Sequence, residues 1–134
     1  MMGWGPGTYQ FVYAPFQEAR YHTIISTNNS DGGNAHSEYL GPLAEQGLFG
    51  PCFVLLLLWY VCVLGFRLWN EVKDIETRNL AVGVYLGLMT YFIHGVLNNY
   101  LDTDKASAPF WGFIALLVVL DIELREQKKK AITS

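Results

Sequence analysis

Formal charge is scarce in this chain: Asp, Glu, Lys and Arg together make up 16% of its 134 residues. Nine basic residues are outnumbered by twelve acidic ones, so the cationic surface that nucleic-acid binding requires is missing. Cysteine is scarcer still. Cys52 and Cys62 are the only two. Ten positions along one helix separate them by about 15 Å, beyond disulfide reach. A disulfide framework is excluded, and both thiols read as packing groups. The start of the chain lacks the basic n-region and apolar h-region of a secretory signal peptide. Gly3-x-Gly5-x-Gly7 lacks the GK[ST] ending of a phosphate-binding loop.

What is present instead is apolar bulk. Hydrophobic residues make up 51% of the chain and aromatics 15%. That composition fits a small polytopic membrane protein better than a soluble domain of this length. Phe49–Phe66 and Leu80–Leu97 are 18-residue apolar runs, the second interrupted by His94, and Ala106–Leu120 adds 15 more. A span needs about 20 mostly apolar residues, with a range of roughly 17 to 25. The expected architecture is therefore all-α and multi-pass, with three spans near 49–67, 80–98 and 105–122. Residues 1–48 form a loop ahead of them, and 123–134 a solvated tail.

Basic residues orient these spans. Arg67, Lys73 and Arg78 lie between the first two; Arg125, Lys128, Lys129 and Lys130 follow the third. The positive-inside rule places both groups in the cytoplasm. Residues 1–48 and the 98–105 loop then lie on the outer side. An outer segment of that length with no export element before it reads as part of a longer polytopic protein.

Within the outer loop, Gly3–Gly7 is turn-forming and Thr8–Phe16 is rich in aromatics suited to the headgroup level. Ser26–Gly33 has loop composition. Asn34 is the expected N-cap of a short helix over 35–46, which Pro42 kinks or breaks. At helical spacing His36, Tyr39, Leu40, Leu43 and Gly47 share one stripe, with Glu38 and Glu45 off it on a solvated face. A histidine in the first turn faces the positive end of the helix dipole, and partial burial also disfavours imidazolium. Both effects favour the neutral base. The bland alternative is a hydrogen-bonded histidine on an amphipathic face.

A second polar group forms around the outer end of the second run: His94, Asn98, Asn99, Asp102, Asp104 and Lys105. An ionisable residue inside a span is a functional candidate, although His94 lies close enough to the interface to be hydrated. Asp102-Thr103-Asp104 matches the D-x-D pattern of cytosolic nucleotide-sugar enzymes, but its outer placement argues against that use. His36, His94, Asp102 and Asp104 could be drawn as a metal site, but no pair among them has diagnostic ligand spacing, so no metal is expected.

His36-Ser37-x-x-Leu40-x6-Gly47 resembles the H-[N/S]-x-x-L-x6-G signature of the O-antigen ligase and polymerase superfamily. GWGPGTYQF is similar to the glycine-rich segment that precedes the signature. HGVLNNYLDTDKASAPFWGF is similar to the late spans of Bacteroidetes-type members. The resemblance covers roughly residues 3–122. It implies a metal-independent, cofactor-free inverting glycosyltransferase of the bacterial inner membrane. The donor is a glycan on undecaprenyl diphosphate, the acceptor a hydroxyl such as that of lipid A core, and the outer loop is periplasmic. His36 becomes the residue that activates or orients the acceptor hydroxyl. Glu38, Tyr39, Arg20, His94 and Asn98 are candidate substrate contacts. Full members have about a dozen spans and hold the lipid diphosphate with arginines. Of these the outer segments here keep only Arg20, besides Lys105, so three spans alone are expected to be inactive. A polysaccharide polymerase and a protein O-glycosylating relative share the same signature. A reading of another class is a non-catalytic membrane subunit, packing through Gly83, Gly87 and Gly95.

Overall fold

The computed structural model describes residues 2–13, 16, 35–98 and 104–133. These residues form helices and no strand: α1 Tyr9–Tyr13, α2 Leu40–Gln46, α3 Phe49–Glu71, α4 Ile75–His94 and α5 Asp104–Thr133. They fall into two compact units, one built from residues up to 55 together with 95–98, the other from 56–94 with 104–133.

The second unit is a three-helix packing whose core follows helical periodicity. Val61, Leu64 and Leu68 come from α3; Ala81, Val84, Leu88 and Phe92 from α4; and Phe110, Ile114, Leu117, Leu120 and Leu124 from α5. Phe110 sits 4.4 Å from the Tyr91 ring and 5.5 Å from Phe92. This joins the end of α4 to the beginning of α5, so the two run antiparallel. Gly65 lets α3 approach α4, since a Cβ there would run into the Tyr85 ring.

The outward faces are apolar too. Leu56, Trp59, Tyr60, Val63 and Phe66 on α3 are all exposed. Two helices, α3 and α5, are long and apolar enough to cross a membrane, with only 22% and 28% of their apolar windows buried. The core helix of a soluble protein would be mostly buried. The stretch expected as a middle span over 80–98 is not among them. Glu76, Arg78 and Asn79 occupy the start of α4, and the helix stops at His94, with a turn over 95–97.

Local chemistry explains the helix ends. Asp74 caps α4, its carboxylate accepting from the Thr77 amide at 2.8 Å and the Thr77 hydroxyl at 2.6 Å. These bonds favour the ionised form and hold the Asp74 carboxyl below its ordinary value. The segment expected as a solvated tail is exposed, and it forms the last turns of α5, helical to Thr133. Its residues are good helix formers, and lysines favour a helix C-terminus.

In the first unit α2 begins at Leu40, five residues later than the helix expected over 35–46. Pro42 accounts for the difference. A helix starting at 35 would lose the Pro42 bond to Glu38 and force the ring against that carbonyl. Beginning at Leu40 places Pro42 in the first turn, where no amide is needed. Gly47, buried and at φ 67°, then turns the chain into α3. Gly50 follows against α2: a Cβ there would meet the Pro42 carbonyl oxygen at 2.5 Å and carbon at 2.7 Å. Gly50→Ala gains about 1 kcal/mol of helix propensity, but overpacking against backbone costs about 1–3 kcal/mol. The expected net result is a lower thermal unfolding midpoint in detergent.

Candidate functional site

The first unit assembles the signature residues from the backbone outward. Ser37 is buried, at 4% exposure. Its hydroxyl accepts from the amides of Tyr39 at 3.3 Å and Leu40 at 3.2 Å, where the chain enters α2. The same hydroxyl donates to the Gly95 carbonyl at 3.5 Å, and the Glu38 amide donates to that carbonyl at 2.8 Å. The segment ahead of α2 is thus fastened to the turn that follows α4.

His36 adopts φ 45° in this segment, among the described residues the one non-glycine in the left-handed region. A non-glycine residue there is uncommon, although histidine is enriched among those that do occur. Such conformations persist where the surroundings over-determine them, and they cluster at functional sites. The Ser37 and Glu38 bonds are those surroundings. The His36 side chain is exposed. This corrects the expected placement: His36 lies in a bend outside α2, not in a first helical turn, and it is not partly buried.

The glycine-rich start of the chain packs on the other end of α2. The Trp4 amide donates to the Ala44 carbonyl at 3.3 Å and the Gly5 amide to the Glu45 carbonyl at 2.7 Å. These satisfy carbonyls that a helix C-terminus leaves without partners. Glycine is required at position 3, because a Cβ would run into the Glu45 and Gln46 backbone. The Glu45 carboxylate accepts from the Tyr9 amide at 3.3 Å. Glu45 is half-buried, so this residue, expected on a solvated face, ties α1 to α2. Tyr9 and Tyr13 stack with centroids 5.2 Å apart. Burial raises the Tyr9 phenol above its ordinary value, and Tyr13 adds to the effect.

Of the other candidate contacts, Glu38 and Tyr39 flank this bend and are half-buried. Burial, then the charge of Glu38, raises the Tyr39 phenol. Asn98 is half-buried and belongs to the same unit. His94 is the exposed last residue of α4, in the second unit. Arg20, Asn34, Asn99 and Asp102 lie outside the described residues, as does the side chain of Asp104. Lys105 is exposed in the first turn of α5.

One polar arrangement in the second unit was not singled out from the sequence. Asp121 is a buried charge on α5, at 4% exposure. Arg67 Nη1 on α3 contacts its two oxygens at 3.1 and 3.3 Å, and Arg125 Nε donates at 2.7 Å. Lys128 pairs with Glu71 at 2.7 Å between the same two helices. The signal was available, since Arg67 and Asp121 each close an apolar run, but which faces of α3 and α5 meet depends on packing.

Comparison with known proteins adds no relative: no family model, curated protein or solved structure matches the chain.

Proposed function

We propose that this chain belongs to a bacterial inner-membrane glycosyltransferase of the O-antigen ligase-like kind, with His36 facing the periplasm. In this reading the stretch over 80–98 joins α3 and α5 as a third span. The 67–79 and C-terminal basic residues lie in the cytoplasm. The observation that carries the reading is the state of His36. Its side chain is exposed, and its backbone is held in a sparsely populated conformation by the buried Ser37.

The reaction joins an acceptor hydroxyl, such as that of a lipid A core sugar, to a glycan carried on undecaprenyl diphosphate. The hydroxyl oxygen forms a bond to the anomeric carbon as the bond to the diphosphate oxygen breaks, with inversion. The hydroxyl proton passes to the imidazole of His36, and the lipid diphosphate leaves as the anion. Imidazole as a chemical class suits this step, because it exchanges a proton near working pH. Ser37 serves the site indirectly, by fixing the bend. Glu38, Tyr39 and Asn98, in the same unit, are the candidate contacts for the incoming sugar.

Deleting the gene tests the proposal. The expected result is loss of high-molecular-weight glycan from the cell surface and accumulation of lipid-linked glycan, both reversed by the restored gene. A deletion strain with surface glycan intact and no lipid-linked accumulation contradicts it.

A further inference from the structure

A groove of about 410 Å³ runs along the first unit between the start of the chain, α1 and the end of α2. Trp4, Tyr9, Tyr13, Phe16, Leu43 and Leu48 are its principal walls, and among the described residues no charged side chain lines it. The aromatic walls are themselves largely open to the surface. Trp4 is 73% exposed and Phe16 78%. Clustered apolar exposure of this kind marks an interaction surface.

Beyond the groove wall at Leu48 the sequence carries no charged residue until Arg67. Leu48 leads directly into α3, where Phe49 and Phe53 are exposed in the same unit. α3 is one of the two helices long and apolar enough to cross a membrane. Trp and Tyr concentrate at the headgroup level because one part of each ring system stays wet. The Trp4, Tyr9 and Tyr13 set has that character, whereas a water-filled sugar site would carry charged or amide groups on its walls.

We infer that this aromatic surface is a membrane-interface anchor, and that the groove takes a phospholipid acyl chain from the bilayer that surrounds α3. The N-terminal segment then lies on the membrane. Its backbone bonds to Ala44 and Glu45 fix the end of α2 at the level where α3 enters the bilayer. Such an anchor requires only that α3 spans, so it stands or falls independently of the glycosyltransferase reading.

The test uses the full chain with Trp59, Trp69 and Trp111 changed to Phe, leaving Trp4 as the reporter. The protein is reconstituted in vesicles of phosphatidylethanolamine and phosphatidylglycerol. The expected result is a blue-shifted Trp4 emission that resists aqueous iodide. Lipids brominated near the carbonyl remove most of it, and mid-chain bromolipids remove less. Emission that iodide quenches freely and neither bromolipid touches overturns the inference, as does a response that appears only when a polyprenyl phosphate is added. A second variant avoids dependence on the triple substitution. Benzoylphenylalanine at Phe16 in the otherwise unaltered chain is expected to form a phospholipid adduct on irradiation. An adduct to protein alone, or none, overturns the inference.

Discussion

On the proposed reading, changing His36 to alanine in the full-length protein is expected to lower glycan transfer by about 10²–10⁴-fold, the ordinary contribution of a positioned general base. Protein abundance stays at the wild-type level, because the side chain is exposed and the bend is held by backbone and Ser37 bonds. The φ of 45° adds a second arm. Glycine adopts that conformation without strain, so His36→Gly preserves or improves folding while losing transfer to the same degree. A structural histidine predicts the opposite pattern: reduced abundance in His36→Ala and normal transfer by whatever folds. Gel analysis of surface glycan, with immunodetection of the protein, separates the two.

The second large effect falls on Asp121. Its side chain is 6% exposed, against 33% for Arg67 and 64% for Arg125. Arg67→Leu leaves the carboxylate buried with one exposed partner and costs about 3–5 kcal/mol, the range for breaking a buried pair. Arg125→Ala removes the more exposed partner and costs about 0–1 kcal/mol. Replacing both Arg67 and Asp121 with leucine recovers most of the loss, because no buried charge is left uncompensated. Denaturant unfolding of the detergent-solubilised chain orders the three variants. Equal losses in Arg67→Leu and in the double variant contradict this account.

Much of the helical layout is legible in the sequence. The runs from Phe49 and from Ala106 fall in α3 and α5, since long apolar stretches bounded by charge leave few alternatives. The middle run is harder to read. Its apolar count is right, but the termination at His94 depends on the turn after α4, whose Gly95 carbonyl is bound by Ser37 and Glu38. That partnership joins residues nearly sixty positions apart, and no periodicity records it.

At the candidate site the sequence points to His36 but misplaces its surroundings. The stripe from His36 to Gly47 assumes a continuous helix. Pro42 instead delays α2 to Leu40. Ser37 and Gly47 have structural tasks, one bonding the Gly95 carbonyl while buried, the other turning at positive φ. His36 is left as the signature residue whose exposed side chain sits on a backbone held in a costly conformation. Glu45 escapes a local reading for a similar reason: its partner Tyr9 is thirty-six positions away.

The most direct measurement is the fate of the carrier. Purified full-length protein in proteoliposomes is given undecaprenyl diphosphate-linked glycan and an acceptor. The expected result is release of one undecaprenyl diphosphate for each glycan transferred, undiminished by chelator and lost in His36→Ala. No release from the wild-type protein, or equal release from His36→Ala, contradicts the proposed role of His36.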